Sequence, residues 1–353
     1  MRSFKVCQCG APLQLIEEPT PEPVGTQVLL KVLASGVCHS DIHIWDGYYE
    51  LGGGKRLQLL ERGIKLPLTL GHENVGEVVA VGSEVRDVPI GSVRLVNPWI
   101  GCGECEVCRR GEENLCRTPR NLGVFSDGGY ADYLIAPHPR HLFEIGDLSP
   151  AQAAPLACSG VTAFSALKKV EAILLRQPIV IMGAGGVGLM ALLLVKAMGG
   201  KGVVMVDIDP AKREAALKAG ALAVVDGRAP DAAQQIVEVT GGGAAAVVDF
   251  VGAGETVRLA VEALVPKAGR IVVVGFFGGE VSIPTPYFPM RAMTIQGSYV
   301  GSLPDMKALL DLVSRSGMPP MPVRTRPLED ANAALDELKA GKVVGRVVLT
   351  PAG

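Results

Sequence analysis

Four of the chain's eight cysteines fall within fifteen residues, in GCGECEVCRRGEENLC, as Cys102, Cys105, Cys108 and Cys116. Two-residue gaps let thiolates of one loop surround a single ion. Four thiolates close a tetrahedral zinc site, at about 2.3 Å per bond, and leave no open position, so such a site is structural. An iron–sulfur cluster is the chemical rival, because thiolates suit it too. Two disulfides are the bland alternative, disfavoured in a reducing compartment.

A second pattern could hold a dinucleotide. VIMGAGGVG, residues 180–188, sets Gly183, Gly185, Gly186 and Gly188 between a strand pattern and a helix pattern. The first glycine permits a tight turn, the second lets backbone approach a pyrophosphate, and the last lets helix and strand pack closely. The helix N-terminus offers free N–H groups to phosphates. Asp207 follows Gly188 by nineteen residues, at the end of the apolar run Val203–Val206. A carboxylate there accepts from a ribose diol and repels a 2′-phosphate, which favours NAD over NADP. A ligand-free glycine turn is the competing reading, and strand, helix and acid together weigh against it.

Scattered residues form a third set. GVCHSDIH carries Cys38, His39, Ser40, Asp41 and His43; GHE carries His72 and Glu73; a lone Cys158 follows APLA. Their spacing alone makes no metal motif. A lone cysteine is most often a small buried hydrophobe. Cys7 and Cys9, on an expected first strand that would point both thiols to one face, read as structural thiols.

The elements that position these residues divide in two. The chain has 353 residues, 34 basic and 36 acidic, a net charge of −2, 48% hydrophobic and 20% charged residues. That length suggests two domains, and that composition excludes wholesale disorder. A near-neutral chain without a basic run is a poor nucleic-acid binder. Two uncharged runs, 148–167 and 177–195, are broken by proline, glycine and serine, so no membrane partner is expected. The first fifteen residues lack an apolar leader core, which points to a cytoplasmic protein. Residues 1–150 are rich in turns and short β-branched segments such as Gln27–Leu33 and Gly76–Val81, the pattern of a small all-β domain. Beyond about residue 152, apolar strands alternate with helices. Ile179–Met182, Val203–Asp207, Ala223–Val225, Ala246–Phe250 and Arg270–Val274 read as strands. Val187–Met198, Ala211–Ala219, Asp231–Val239 and Glu255–Val265 read as helices, giving an α/β doubly wound parallel sheet. Helices near Asp305–Arg315 and Glu329–Ala340 and a strand Arg346–Leu349 close the chain.

The motifs GVCHSDIH, GHE, the cysteine lobe, VIMGAGGVG and VMVD, in this order, together resemble the zinc-dependent medium-chain alcohol dehydrogenase family, and the likeness runs to GRVVLTP at the end. It looks most like prokaryotic NAD-dependent members. The resemblance implies an all-β GroES-like catalytic domain over 1–152, with a structural zinc lobe at 98–118, completed by 300–353. A Rossmann domain would span 153–299.

It further implies two zinc ions per chain and NAD. Cys38, His72 and Cys158 would hold the catalytic zinc; three protein ligands leave a fourth position open. Asp41 would fix the His72 tautomer, and Glu73 would sit behind the metal. Ser40 would contact the substrate oxygen, and His43 would pass the proton outward. His39, Thr162, Val187, Lys212, Val274 and Arg346 would join Gly183, Gly185, Gly186, Gly188 and Asp207 around NAD. Trp99, Phe276, Tyr299 and Val300 resemble positions that line a substrate channel. Asn121 stands where some relatives carry an aromatic. The segment Tyr48–Lys65 reads as a substrate lid or a subunit contact, with Tyr48 or Tyr49 over the pocket. A mostly apolar slot suits medium-chain primary, secondary, cyclic or benzylic alcohols over ethanol, glycerol and sorbitol. The same superfamily offers polyol or formaldehyde-adduct oxidation as an alternative. A non-catalytic dinucleotide-binding protein would be expected to have lost the zinc ligands. Similar prokaryotic enzymes are commonly homotetramers, otherwise dimers; the apolar, uncharged run Met293–Val300 is the candidate edge.

Overall fold

The structure is a computed structural model that describes residues 1–317 and 321–351. Its second half is built on a six-stranded parallel sheet. The strands Ala223–Asp226, Val203–Asp207, Ile179–Met182, Ala246–Asp249, Arg270–Val273 and Thr294–Gly297 lie in that spatial order. Chain order therefore runs outward from Ile179–Met182 on both sides, the arrangement that opens a crevice at the carboxyl ends of the central strands. IVIM and AVVD lack polar alternation because both faces are covered; every residue of these two strands is buried. Burying one such valine or isoleucine contributes about 1.5–3 kcal/mol, before the cost of ordering the chain.

In the first half, the strand Val28–Gly36 is the hub. It pairs antiparallel with Glu73–Val81, Tyr133–Ala136 and Arg346–Thr350. Two register shifts in its pairing with Glu73–Val81 bend the ribbon, as bulges do. The end of this strand matters most, for Gly36 lies opposite Glu73. The residues just beyond one strand and just before the other, Cys38 and His72, are thereby brought to one place.

Several boundaries differ from expectation. The helix Leu303–Ser316 packs on the helices Ser159–Lys168 and Gly186–Ala197, beside the parallel sheet. The return to the first half thus begins with the strand Val323–Pro327 rather than at residue 300. The expected Met293–Val300 strand is only Thr294–Gly297, because the chain turns away through Val300 at φ +40°. The first strand ends at Val6, so Cys7 and Cys9 lie in a bend and not on a common strand face. Residues 48–65 are an ordered hairpin, Tyr48–Gly52 paired with Lys55–Gln58, followed by a single 3-10 turn. Among the described residues no helix is long and apolar enough to cross a membrane.

Candidate functional site

Cys38 caps the helix His39–Asp46, His72 precedes the strand Glu73–Val81, and Cys158 caps the helix Ser159–Lys168. All three are buried, and one ligand atom from each lies within 4.8 Å of the others. The Cys38 and Cys158 sulfurs are 4.0 Å apart. Two thiolates at about 2.3 Å from one tetrahedral zinc stand about 3.8 Å apart, so the pair fits that ion. His72 Nε2 is buried and without a partner, which is costly unless something takes its lone pair.

Asp41 sets that lone pair. Its Oδ1 lies 3.1 Å from His72 Nδ1, and its Oδ2 accepts from the Cys38 N–H at 2.9 Å and the Tyr130 hydroxyl at 3.0 Å. With the Nδ1 proton directed at Asp41, Nε2 is left as the ligand. Although burial opposes it, Asp41 and Cys38 hold the His72 pKa well above the ordinary range. The bond to Cys158, with the His72 charge, pulls the Cys38 thiol well down, and the same bond pushes Cys158 up. A cation held between the two sulfurs would take the place of that sharing.

Behind the three ligands lies Glu73, fully buried. Gly36 makes room for it: a Cβ at Gly36 would run into the Glu73 carboxylate. Glu73 Oε1 accepts the Ser159 N–H at 3.1 Å, and Oε2 pairs with the Arg346 guanidinium. Burial raises the Glu73 pKa, and Arg346 opposes that rise.

Ser40 and His43 lie one turn apart on the helix His39–Asp46, which Cys38 caps, so their side chains share a face. Burial, then repulsion from His39, lowers the His43 pKa. A train of rings follows. Tyr49 is 4.8 Å from His43 and 5.3 Å from Phe276, centroid to centroid. Phe276 is 6.3 Å from Tyr299, Tyr299 is 6.2 Å from Trp99, and Trp99 is 5.5 Å from His72. Tyr49 is the inward tyrosine; Tyr48, on the opposite face of the strand, lies under the Arg56 guanidinium at 3.9 Å. Asn121 does not face this wall, because its Oδ1 accepts the Ile100 N–H at 2.9 Å in a buried loop.

Cofactor-type residues gather at the carboxyl ends of the parallel strands Ile179–Met182 and Val203–Asp207. Gly183 turns at φ +92°, and a Cβ at Gly188 would collide with the Gly183 carbonyl. Asp207 accepts from the Ala184 N–H at 2.6 Å and the Asp209 N–H at 2.8 Å, which ties the glycine turn to the neighbouring strand end. The Arg346 side chain runs against Gly186 at the start of the helix Gly186–Ala197. Lys212 reaches the turn at Gly341. His39, whose pKa burial lowers, is also repelled by Arg346 and Lys212, so these cations share one region. The Thr162 hydroxyl is buried with no partner, one helical turn beyond Cys158. Val187 sits in the first turn of the glycine helix, and Val274 donates its N–H to the Asp249 carbonyl at 2.8 Å.

The four-cysteine lobe is complete. Sulfur separations of 3.9 Å for Cys102–Cys108, 3.4 Å for Cys105–Cys108 and 3.8 Å for Cys105–Cys116 bracket the edge of a zinc tetrathiolate. N–H groups of Cys105 and Thr118 point at Cys102 and Cys116 sulfurs, as thiolates require. The buried carboxylate of Glu113 accepts the Gly101 N–H at 3.0 Å and pairs with Arg140, holding the lobe to the 3-10 turn Pro139–His141.

Tyr130 and Asn114 were not singled out in the sequence. Tyr130 supports Asp41 from 89 residues away, a distance at which no local pattern speaks.

Residues 25–147 match the alcohol dehydrogenase GroES-like domain, and residues 186–315 match the zinc-binding dehydrogenase family. An NAD-dependent alcohol dehydrogenase of Sulfurisphaera tokodaii is 40% identical over 99% of this chain and 100% of its own length. One from Saccharolobus solfataricus is 39% identical, again over 99% of this chain and 100% of its own. The crystal structure of the Aeropyrum pernix alcohol dehydrogenase superposes with a TM-score of 0.89 at 31% identity, covering 99% of this chain and 100% of that one. With two complete thiolate-rich metal sets, a glycine turn facing one of them, and such relatives over its whole length, the chain belongs to the zinc-dependent, NAD-linked medium-chain alcohol dehydrogenases.

Proposed function

We propose that Cys38, His72 and Cys158 hold the catalytic zinc and that Cys102, Cys105, Cys108 and Cys116 hold the structural one. The observation that carries the first assignment is the buried, unpartnered Nε2 of His72 beside two thiols. Zinc supplies Lewis acidity toward the alcohol oxygen, and NAD supplies the hydride acceptor. The chain's own residues do the rest. Asp41 and Tyr130 fix the His72 ring. Ser40 accepts the substrate hydroxyl proton and hands it towards His43, whose lowered pKa keeps it ready to accept at neutral pH. Thr162 offers its free hydroxyl on the nicotinamide side. Gly183, Gly185, Gly186, Val187 and Gly188 receive the pyrophosphate, with Arg346, Lys212 and His39 as cations around it and Val274 beside the ring. Asp207 takes the adenosine ribose.

The substrate is an uncharged alcohol with a bulky, flat or branched body. Trp99, Tyr49, Phe276, Tyr299 and Val300 are its walls, and aromatic faces favour such a body over a polyol. The first half, completed by the strands from Val323 onward, is the catalytic domain; the rest binds the dinucleotide. Copies of the chain associate through the free edge Thr294–Gly297 and the apolar surface beside it, where Phe277 is 70% and Met290 64% exposed. Six ligand thiols suit the cytoplasm, where they stay reduced.

The deciding experiment is NAD+ reduction across an alcohol panel, before and after chelation. Cyclohexanol or benzyl alcohol should exceed ethanol, glycerol and sorbitol in kcat/KM, and chelation should abolish turnover. A polyol or hydroxy acid best by tenfold would overturn the substrate reading and leave the zinc assignment standing.

A further inference from the structure

The turn between the third and fourth cysteines of the lobe is hydrogen-bonded to the substrate wall by one side chain. Asn114 stands in the 3-10 turn Glu113–Leu115, between the third and fourth cysteines. Its Nδ2 donates to the carbonyl of Tyr299 at 3.0 Å, across 185 residues of sequence. Its Oδ1 is buried with no partner, so this one bond fixes the amide. Nearby, Gly111 of the lobe abuts Pro304, at the start of the helix Leu303–Ser316.

Both ends of that bond are informative. On the lobe side the turn is held firmly: neighbouring Glu113 is buried and bound to the Gly101 N–H and Arg140. On the wall side, the Tyr299 carbonyl belongs to the same peptide plane as the Val300 N–H. Holding that plane restrains the rotation that couples ψ of Tyr299 to φ of Val300, and so keeps the Tyr299 Cα, from which the ring projects, in its place. That φ is +40°, a region β-branched residues avoid and keep only where the surroundings impose it. Tyr299 packs edge-on to both Trp99 and Phe276, and Gly301 lies against Val161, next to Thr162.

We propose that Asn114 is a positioning residue that makes the four-cysteine lobe part of the substrate-selecting apparatus: through the Tyr299 carbonyl it holds the Tyr299–Val300 wall in its strained, selective shape. The lobe then does more than stabilise the fold. Its metal state is read at the pocket, because loosening the turn Glu113–Leu115 releases the wall. This rests on the alcohol dehydrogenase reading of the site.

The test uses the full zinc-loaded protein and the substitutions Asn114→Asp and Asn114→Ala. Asn114→Asp is nearly isosteric but removes the donor. Losing one hydrogen bond of ordinary strength corresponds to roughly a threefold to tenfold effect. A drop of that size in kcat/KM for cyclohexanol or benzyl alcohol is expected, carried by KM, with ethanol changed less than twofold and two zinc ions retained. On a Tyr299→Ala background, where the carbonyl and Val300 remain but the ring is gone, the same substitutions should have a clearly smaller selective effect. An activity-independent readout is Trp99 fluorescence in a Trp45→Phe background, which should shift in Asn114→Asp, since Tyr299 leaves its place beside Trp99. Equal losses for all alcohols together with loss of zinc would mean a merely structural role and overturn the proposal. So would full additivity with Tyr299→Ala, or unchanged fluorescence and selectivity. A fluorescence shift in a protein that oxidises no alcohol would uphold the Asn114–Tyr299 coupling and sink the functional reading alone.

Discussion

Arg346 and Glu73 form a buried ion pair that joins the last strand to the residue following His72. The pair faces two ways. Glu73 also accepts from Ser159, the residue after Cys158, while Arg346 runs against Gly186 at the head of the glycine helix. One interaction thus spans the back of the proposed catalytic metal and the proposed pyrophosphate site.

Breaking a buried pair strands one charge and costs about 3–5 kcal/mol. Glu73→Gln and Arg346→Met should each lower Tm markedly, and the double substitution should lower it by less than the sum. Only variants lacking Arg346 should lose NAD+ affinity by more than tenfold, because the guanidinium, and not the Glu73 carboxylate, is proposed to meet the phosphates. Calorimetry and NAD+ titration separate these effects; equal weakening of NAD+ by Glu73→Gln would contradict the division.

The two metal sets should behave differently. Elemental analysis should find two zinc ions per chain. Cys105→Ser opens a lobe that has little core of its own, so it should lower Tm first and keep much of the specific activity at low temperature. Cys38→Ser removes a ligand from an already well-packed centre, so it should lower kcat by several orders of magnitude with a small change in Tm. One zinc per chain, or iron in the lobe, would sink one of the assignments.

Asp207 accepts two backbone N–H groups, which fixes the orientation of its carboxylate at the strand end. Asp207→Ser should weaken NAD+ and relieve repulsion of NADP+, narrowing the ratio of their kcat/KM values by tenfold or more. A wild-type protein that used both equally well would show the ribose contact to be misassigned.

His141 supplies a pH dependence outside either metal set. Burial lowers its pKa to about 3, with Arg140 and His138 adding repulsion. In the unfolded chain it titrates near 6.5, so its full contribution is present above that pH. As pH falls from about 6.5 towards 3, the unfolded state takes up a proton that the folded state refuses, and stability declines. The loss is about 2 kcal/mol by pH 5. His141→Gln should flatten the slope of unfolding free energy between pH 6.5 and 5. An unchanged slope would show that the imidazole is charged or exposed.

How far the sequence carried these conclusions depended on the range of the interaction. The strands of the parallel sheet were legible because IVIM, VVMVD and AVVD are buried on both faces, which leaves no polar alternation. The cysteine lobe was legible because all its ligands lie in one loop. The set Cys38, His72 and Cys158 was not legible from spacing, since it is assembled by a strand register, Gly36 opposite Glu73, that no local pattern encodes. Tyr130, Asn114 and the choice between Tyr48 and Tyr49 were hidden for the same reason. Asn121 misled because an amide beside a pocket sequence can be spent on backbone, as it is on Ile100.

The hairpin Tyr48–Gln58 gives the last prediction. Its tip rests on the dinucleotide-binding half: Gly52 stands against Gly279 and Glu280, and Gly278, at φ +99°, stands against the Glu50 backbone. Neither glycine has room for a Cβ. The same tip carries Tyr49 to Phe276, which lies just ahead of Gly278. A methyl at Gly278 should therefore push the hairpin off the opposite half and withdraw Tyr49 from the ring wall. The left-handed backbone adds roughly 1–2 kcal/mol of strain for a residue with a Cβ. Gly278→Ala should raise KM for bulky alcohols several-fold, leave ethanol nearly unchanged and expose the hairpin to proteolysis near Lys55. Tyr49→Ala should reproduce the change in KM without the proteolysis. If Gly278→Ala impaired every alcohol alike and left the hairpin protected, the contact would be holding the cofactor loop rather than the substrate wall.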